Sequence, residues 1–379
     1  MDLVKKRAPD YWLALAVIAL VGLGLVMVYS ASAIVAQDRI GDSSFFFKRQ
    51  AGWVLLGAAA AMIAQRIHYE RLRRRTPLII LVTCAFLGLV LIPGIGRVAG
   101  GARRWVSIGP ASFQPAEAAK LVMVLYMARF LTSRTVDISG FRRGVLPPVL
   151  LAGFMFGLIL LQPDMGSAIL VGLVMIAMLF VGGARLLHLL GLGVAGVPVL
   201  AVAVLGEEYR RRRILAFLDP WADPQGAGFH IIQSLLALGS GGIFGVGLGA
   251  SRQKYFYLPE RHTDFIFAIL GEELGLLGTV AVLLLFALFA YRGFRIARTA
   301  PTRYAGLLAA GITAMVVLQA GVNIGVTIGV LPITGVPLPF LSFGGSSLIL
   351  TMIGVGILLN ISQYAQARNR ASAPNVSHE

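Results

Sequence analysis

Residues 258–268, Leu-Pro-Glu-Arg-His-Thr-Asp-Phe-Ile-Phe-Ala, place several titratable side chains directly before a long apolar run. Glu260, His262 and Asp264 can each exchange a proton, and Thr263 adds a hydroxyl group between them. Ionisable groups close to a bilayer are costly, so they are functional candidates by default. The pattern indicates a site at the membrane edge, with Asp264 as a general base facing an external cavity.

A structural alternative exists for Asp264. Either Thr263 or Asp264 could simply cap the helix that follows, because short polar side chains and negative charge favour a helix N-terminus. Residues 274–291 alone would span about 27 Å, nearly a full bilayer. Asp264 is therefore expected at the outer interface, and both interpretations stay open. Glu272 and Glu273 point in different directions on a helix, and anchoring at the interface is the favoured role for them.

Two further charged pairs could contact a phosphate. Glu117 and Lys120 follow Pro115, which suits the first position of a helix, and their spacing puts both on one helix face. They could form an ion pair, or Lys120 could meet a phosphate at membrane depth. Arg103 and Arg104 carry forked donors that bind phosphate at two points. The alternative for these arginines is contact with ordinary anionic lipid.

The composition is that of a membrane protein. Only 13% of the residues are charged and 57% are hydrophobic, whereas soluble proteins carry about 25% charged residues. In lipid every backbone polar group must be paired internally, so apolar spans form helices. We predict an all-α polytopic membrane protein with ten transmembrane helices. The candidate spans are Tyr11–Val35, Phe45–Gln65, Pro77–Pro93, Pro115–Leu131, Val145–Leu161, Gly166–Gly182, Leu186–Leu205, Asp264–Tyr291, Ala305–Val330 and Gly345–Tyr364.

The net charge of +16 does not indicate a nucleic-acid partner, because the basic residues of the short loops are concentrated in alternate loops. This bias marks the cytoplasmic side of a membrane protein. It predicts cytoplasmic termini and a large extracytoplasmic loop, residues 206–263, between the seventh and eighth helices. Within that loop, Arg210–Arg213 are expected to face solvent or headgroups, and the glycine-rich residues 239–249 to be flexible at the membrane surface.

The chain is interpreted as one integral membrane domain, residues 1–364, followed by a disordered cytoplasmic tail, residues 365–379. The single cysteine, Cys84, excludes an intramolecular disulfide. His230 and His262 do not have the spacing of a metal site, and no metal-ligand motif is visible. A hard cation held by carboxylates and a substrate diphosphate would leave no such motif.

Six motifs along the chain together resemble the SEDS family (shape, elongation, division and sporulation), bacterial membrane proteins that include FtsW, RodA and SpoVE. The resemblance extends from about Tyr11 to Tyr364, and the residues around Ile214 are closer to FtsW and SpoVE than to RodA. The motifs are Val26-Met27-Val28-Tyr29-Ser30-Ala31-Ser32, Gly101-Ala102-Arg103-Arg104-Trp105, Gln114-Pro115-Ala116-Glu117 with Lys120, Gln162-Pro163-Asp164-Met165-Gly166, Leu258–Ala268 and Ser342-Phe343-Gly344-Gly345-Ser346-Ser347.

The resemblance implies a peptidoglycan glycosyltransferase of the bacterial cytoplasmic (inner) membrane that polymerises lipid II, an undecaprenyl-diphosphate-linked disaccharide peptide. The family's proposed essential aspartate falls on Asp264, which would act as the base of an inverting transfer. The family works with a class B penicillin-binding protein and other divisome or elongasome proteins, and its polymerisation depends on a divalent cation, Mg²⁺ or Mn²⁺. Substrate-binding roles are expected for Arg103, Arg104, Glu117, Lys120, Glu260, His262, Thr263, Ser342 and Ser346.

Three alternatives to septal polymerisation in cell division stay open. A RodA-type polymerase would serve elongation instead. A lipid II flippase would also need many spans and cationic sites, but with access from both sides of the membrane. A scaffold would need Asp264 only as a helix cap. The elaborate loops are all predicted to lie on the outer side, and this favours the enzyme.

Overall fold

The computed structural model describes residues 8–99, 102–108, 111–251 and 263–371. In this part of the chain, helices account for most of the residues, and a small sheet is the only other regular structure. The elements are α1 (Tyr11–Ile40), α2 (Phe45–Arg66), α3 (Tyr69–Leu89), β1 (Gly96–Ala99), β2 (Ala102–Ile108), β3 (Ala111–Phe113), α4 (Pro115–Phe130), α5 (Leu146–Leu160), α6 (Met165–Gly182), α7 (Leu186–Leu205), α8 (Glu208–Leu218), α9 (Phe229–Gly241), α10 (Ile266–Arg298), α11 (Arg303–Thr327) and α12 (Gly345–Ala371).

Each of the ten predicted apolar segments corresponds to a helix, although several boundaries differ. Helix α3 begins at Tyr69, where the sequence predicted a start at Pro77. The imidazole of His68 accepts a hydrogen bond from the Glu70 backbone (3.2 Å) and so caps the earlier start. Helix α12 continues to Ala371, into the predicted tail, and residues 372–379 lie outside the described part. Within the described residues, seven helices are long and apolar enough to cross a membrane.

The helices differ strongly in burial. Helix α11 is largely enclosed and packs against α4, α6 and α10, so that it forms the centre of the bundle. Helix α7 lies at the opposite extreme, because Ala203 is its only buried residue. The centre is mainly aliphatic, but it also contains polar side chains whose partners hold the functional region together.

The segment between α3 and α4 forms an antiparallel sheet in the order β1–β2–β3. The sequence indicated only an elaborate loop here, because the strands are short and contain arginine and glycine rather than a clean apolar alternation. Arg97 pairs with Trp105 across the first two strands, and the register shifts between Arg97 and Val98. Successive side chains of β2 point to opposite faces of the sheet, and this separates Arg103 from Arg104.

Helix α10 is interrupted at Gly275, where φ is 66° and ψ is −162°. The segment after α9 fills the interruption: the Val246 amide donates to the Glu272 carbonyl (3.0 Å), and the Leu276 amide donates to the Gly242 carbonyl (2.9 Å). Backbone groups freed by a break in a membrane helix must find such partners. Residues 239–249 are mostly exposed, as expected for a surface segment, but these hydrogen bonds fix their backbone against α10, contrary to the expectation of flexibility.

The prediction that Glu272 and Glu273 anchor the helix at the interface is also wrong. Both side chains are buried, with at most 1% exposure. The Ser30 hydroxyl donates to the Glu273 carboxylate (2.6 Å), and the Ser251 hydroxyl donates to Glu272. A buried carboxylate is costly without such donors. These contacts also connect α1 and the segment after α9 to the part of α10 that precedes Gly275.

We expect Gly275→Ala to lower the free energy of unfolding by about 2–5 kcal/mol, because its backbone conformation is almost exclusive to glycine and the site has no room. A Cβ atom there would lie 2.3 Å from the Gly245 nitrogen. The control is Gly321→Ala on α11, where an added Cβ would meet no atom within 4 Å. Thermal unfolding in detergent measures both variants, and equal midpoints would contradict this account of the interruption.

Candidate active site

A cavity of about 310 Å³ opens at the end of the bundle that carries the sheet. Its walls come from β2, the start of α6, helix α8, the two residues before Phe265 and the segment between α11 and α12. The polar and charged side chains in the lining are concentrated on the residues named in the motifs and on α8. The lining consists of Arg104, Trp105, Gln114, Pro163, Met165, Gly166, Ile169, Tyr209, Arg210, Arg213, Ile214, Thr263, Asp264, Pro332, Ile333, Thr334 and Gly335.

Asp264 lies in this cavity and is half-buried. Helix α10 begins at Ile266 with Phe265 as its N-cap residue, so neither Thr263 nor Asp264 occupies the capping position. The capping interpretation is therefore wrong. One carboxylate oxygen of Asp264 lies 3.6 Å from the position that a Cβ atom on Gly335 would take, and Gly335 has a φ of 75°. A Cβ at that distance would make only an ordinary contact, so glycine is favoured here by its positive φ, and the 332–335 segment lies beside the carboxylate.

Two buried side chains fix the backbone at this acid. The Asn323 amide nitrogen donates to the Asp264 carbonyl (2.7 Å) and to the Val336 carbonyl (2.8 Å). The Ser342 hydroxyl donates to the Thr263 carbonyl (2.5 Å) and accepts from the Leu338 amide (2.8 Å). Asn323 is 1% exposed and Ser342 is 5% exposed. We call this pair the carbonyl clamp.

The carbonyl clamp joins consecutive carbonyls, those of residues 263 and 264, to the segment between α11 and α12. Ser342 was predicted as a substrate-binding residue, and the structure brings it beneath the acid, among buried backbone groups. Asn323 did not emerge from the sequence. A polar residue within an apolar span is a usable signal, but it does not reveal which backbone groups the side chain contacts.

Only one of the two consecutive arginines on β2 lines the cavity. Arg104 donates to the Gln162 carbonyl (3.1 Å) and to the Pro163 carbonyl, which holds its guanidinium group against the turn before α6. Arg103 points to the other face of the strand and donates to the Leu91 carbonyl (3.2 Å). The structure therefore does not bring Arg103 to the cavity.

Side-chain hydrogen bonds also hold the turn before α6 in place. Asp164 caps α6 by accepting from the Ser167 amide (3.1 Å), and it also accepts from the Gln114 side-chain amide (2.8 Å). Gln114 lies just before α4, so this contact joins the starts of two helices at the cavity wall. Arg104 is thus held by a rigid turn rather than by a free loop.

Arg213 contributes a second cavity guanidinium group, contrary to the prediction that the arginine run faces solvent or headgroups. It donates to the Ile333 carbonyl (3.2 Å) and stacks over the Tyr209 ring at 4.3 Å. Burial lowers the pKa of Arg213, and the nearby positive charge of Arg104 lowers it further, while the negative charges of Asp264 and Asp164 oppose the shift. The two arginines and Asp264 therefore act on one another electrostatically.

The remaining arginines of the run have different surroundings. Arg210 lines the cavity, but its guanidinium group donates to the Ala203 and Leu160 carbonyls (2.8 and 3.2 Å). Arg211 and Arg212 are exposed, as predicted. The spacing of Arg210 and Arg213 puts both on one face of a helix, and Ile214 lies on the same face. This pattern in the sequence could have indicated that the two arginines face the protein rather than solvent.

The sequence profile described as "Cell cycle protein", which covers FtsW, RodA and SpoVE, matches residues 11–367. The chain belongs to this family, the SEDS proteins. It is 46% identical to stage V sporulation protein E of Bacillus subtilis, over 96% of this chain and 99% of that protein. It is 45% identical to a probable peptidoglycan glycosyltransferase FtsW of Geobacter metallireducens, over 96% of each chain.

Solved structures of SEDS proteins have the same fold. The rod shape determining protein RodA of Thermus thermophilus is 32% identical, with a TM-score of 0.70 over 97% of this chain and 99% of that one. A chain from a structure described as "Structural coordination of polymerization and crosslinking by a peptidoglycan synthase complex" is 35% identical, with a TM-score of 0.77 over the same shares. The protein is therefore a multi-pass membrane protein.

The SEDS motif residues on α4 form a buried network rather than part of the cavity lining described above. The Lys120 ammonium group donates to Glu117 (2.8 Å) and to the Gln319 side-chain oxygen (2.6 Å), and Lys120 is 2% exposed. Gln319 in turn donates to the Pro337 carbonyl (2.9 Å). The network thus links α4 through α11 to the segment that carries the carbonyl clamp, and in this conformation Lys120 is enclosed.

The last predicted site residues have separate outcomes. Thr263 lines the cavity beside Asp264. The Ser346 hydroxyl accepts from the Gln114 amide (3.1 Å), which places it between the starts of α4 and α12. Glu260 and His262 lie outside the described residues. Within the described ranges, no three His, Cys, Asp or Glu side chains are grouped as a metal site would require.

Proposed function

We propose that this protein is a peptidoglycan glycosyltransferase that polymerises lipid II into glycan strands for septal cell-wall synthesis. The observation that carries the proposal is the composition of one cavity, which brings a half-buried carboxylate, Asp264, together with two guanidinium groups, Arg104 and Arg213. Transfer of a sugar from a diphosphate needs a base for the acceptor and positive charge for the leaving group.

In the proposed reaction, Asp264 removes the proton from the 4-hydroxyl of the acceptor's GlcNAc. The resulting oxygen attacks the anomeric carbon of the donor's MurNAc, so a C–O bond forms as the bond to the diphosphate breaks. One displacement inverts an α-diphosphate into a β-1,4 link, as in inverting sugar enzymes that use a single base. Arg104 and Arg213 stabilise the charge that develops on the diphosphate.

The cavity volume fits the reacting part of such a substrate. At about 310 Å³ it lies at the lower end of small-molecule sites. A sugar ring and the diphosphate fill that space, and the remainder of the precursor extends beyond it. The lipid tails of donor and acceptor stay in the bilayer beside the helices, which carry many exposed apolar side chains.

The proposal includes the orientation of the chain. All ten predicted segments cross the cytoplasmic membrane, both termini lie in the cytoplasm, and the 206–263 segment is extracytoplasmic, because most of the basic residues of the short loops are on the opposite side. The active-site cavity then faces outward. The higher identity to FtsW and SpoVE proteins (45–46%) than to RodA (32%) supports a role in division or sporulation over elongation.

We also propose a class B penicillin-binding protein as the partner, since a related chain was solved in a peptidoglycan synthase complex. Other divisome or elongasome proteins remain part of the same proposal. For the expected Mg²⁺ or Mn²⁺, the described residues alone do not form a cage. In this proposal Asp264 and the diphosphate oxygens would hold such a cation, a common arrangement for Mg²⁺.

One assay separates polymerase, flippase and scaffold. The purified full-length chain, with its penicillin-binding partner, is reconstituted in vesicles whose two leaflets carry lipid II with different labels. We expect glycan chains to form from the lipid II on the side of the cavity. Movement of label between leaflets without glycan chains would indicate a flippase, and neither product would indicate a scaffold.

The two arginines of β2 provide a matched pair of variants. We expect Arg104→Gln to lower kcat/KM for lipid II polymerisation by about 10- to 100-fold, because charge-assisted hydrogen bonds are worth roughly 1.5–3 kcal/mol. Arg103→Gln removes the same charge from the other face of the strand and is expected to change kcat/KM less than threefold, within the roughly 0.5 kcal/mol of a neutral substitution.

A second pair tests helix α8 in the same assay. Arg213→Gln is expected to behave as Arg104→Gln, because it also removes a cavity guanidinium group. Arg211→Gln, on the exposed face of the same helix, is the control. Equal losses within either pair would show that general charge, rather than the cavity, binds the diphosphate.

A further inference from the structure

A second cleft lies at the other end of the bundle, at the opposite end of α11 from Asp264, about 30 Å away by the rise of a helix of twenty residues. Helix α11 connects the two regions: Arg303 begins the helix at the cleft, and Asn323, twenty residues later, holds the Asp264 carbonyl. At 1.5 Å per residue this separation equals the thickness of the hydrocarbon core. The cleft therefore lies at the opposite membrane surface from the active-site cavity.

The cleft has two adjoining parts, with volumes of about 470 and 710 Å³, which share Glu70, Arg73, Thr132, Ser133 and Arg134. Its lining is strongly basic: five arginines stand against two carboxylates. Three apolar side chains complete one wall, as expected at the edge of a bilayer. The further lining residues are Arg74, Arg129, Leu131, Val136, Asp137, Ile138, Thr302, Arg303 and Tyr304.

Two of the arginines are held in place by the protein. Arg73 lies over the Tyr304 ring at 5.4 Å and is 3.7 Å from the Glu70 carboxylate. Arg129 donates to the Arg73 carbonyl (3.0 Å). These contacts fix the floor of the cleft and use one of its two carboxylates. The buried Tyr304 hydroxyl makes no hydrogen bond of standard geometry within the described residues.

The second carboxylate is also engaged elsewhere. Asp137 accepts from the Ser139 hydroxyl (2.6 Å) and from the Ser139 amide (3.0 Å). Those hydrogen bonds and the positive charge of Arg185, outside the cleft lining, keep its pKa below the ordinary value. Asp137 therefore stays ionised, and the five arginines of the lining still outnumber the two carboxylates.

Three arginines remain for a ligand. Arg74, Arg134 and Arg303 are exposed and make no ion pair or side-chain hydrogen bond within the described residues. They come from three separate elements, α3, the segment after α4, and the start of α11. The Thr132 hydroxyl already donates to the Ala128 carbonyl (2.8 Å) and the Ser133 hydroxyl pairs with that of Thr135 (3.0 Å), so the donors available to a ligand are those of the arginines. Forked cations that line one cleft from three elements suit the oxygens of a phosphate.

We infer that this cleft is a phosphate-binding site, separate from the active-site cavity, and that its ligand is the headgroup of an anionic phospholipid. The lipid is favoured over a soluble phosphate compound because the cleft lies where the spans end and has an apolar wall of Leu131, Val136 and Ile138. The headgroup would bridge α3, α4 and α11, and α11 also carries Asn323 at the active site.

The test is titration of fluorescent phosphatidylglycerol into the purified full-length protein in neutral detergent, with phosphatidylcholine as the uncharged comparison. The variant Arg74→Gln/Arg134→Gln/Arg303→Gln is expected to weaken phosphatidylglycerol binding at least about tenfold, the loss of one charge-assisted contact or more. The control Arg142→Gln/Arg143→Gln/Arg298→Gln removes the same charge near the same membrane surface, from residues that do not line the cleft, and is expected to keep wild-type affinity.

Inorganic phosphate distinguishes the two sources of the ligand chemistry. If millimolar phosphate displaces the lipid, the site takes free phosphate as well; if it does not, the site is specific for the lipid. Equal affinity in the two triple variants would overturn the proposal, because the attraction would then come from general surface charge. Should the cleft variant fail to fold, Ser133→Glu places a repelling charge at an exposed position, and unchanged lipid binding by that variant would equally overturn it.

Discussion

Asp264→Asn is expected to lower the rate of lipid II polymerisation by about 10²- to 10⁴-fold, the usual contribution of a general base. The amide keeps the shape of the side chain but cannot accept the proton of the acceptor hydroxyl. The fold should persist, because the Asp264 group used by the carbonyl clamp is its backbone carbonyl. Single-turnover formation of glycan from labelled lipid II measures the loss.

Glu208→Gln is a suitable control for Asp264→Asn. Glu208 is an exposed acid on α8 that pairs with Arg212 and does not line the cavity. Removing an exposed ion pair costs at most about 1 kcal/mol, so polymerisation should be unchanged. Near wild-type polymerisation by Asp264→Asn would exclude the base assignment, whereas loss of both activity and the thermal transition would point to a structural role instead.

The sequence predicts the helices of this protein well because their signal is local. Long apolar runs can satisfy their backbone only as helices in lipid, so all ten segments, from Tyr11 to Tyr364, correspond to helices. The interruption at Gly275 could not be predicted in this way. Its stability depends on backbone groups of residues 242–247, which are distant in sequence and carry no pattern that refers to α10.

The active site is predictable only in part, for the same reason. Asp264 is recognisable as a costly acid beside a span, and its position in a cavity agrees with that expectation. Arg103 and Arg104 look equivalent in the sequence, and only the strand geometry separates them. Arg213 looked like part of a solvated run, because the Ile333 carbonyl and the Tyr209 ring that hold it become neighbours only in the folded chain.

Asn323→Leu is expected to lower kcat by about 10²-fold with little change in KM, because a shift of about 1 Å in a catalytic group can cost that much. The substitution keeps a side chain of similar size but removes both donors of the amide. The Asp264 and Val336 carbonyls then lose their shared partner. Arg104 is held by the turn before α6, and Arg213 keeps its stacking over Tyr209 on α8, so affinity for the diphosphate should persist. Initial rates over a range of lipid II concentrations separate kcat from KM.

Thr327→Val provides the matched control for the carbonyl clamp. Thr327 lies one turn further along α11, is fully buried, and its hydroxyl donates to the Asn323 backbone carbonyl (2.9 Å) rather than to the segment at Asp264. Both substitutions remove a buried polar group from one helix, but only Asn323→Leu disconnects α11 from the acid. A general loss of packing would lower thermal stability and kcat in both variants. A selective fall in kcat for Asn323→Leu, at similar stability, would identify Asn323 as a positioning residue that acts through the Asp264 backbone.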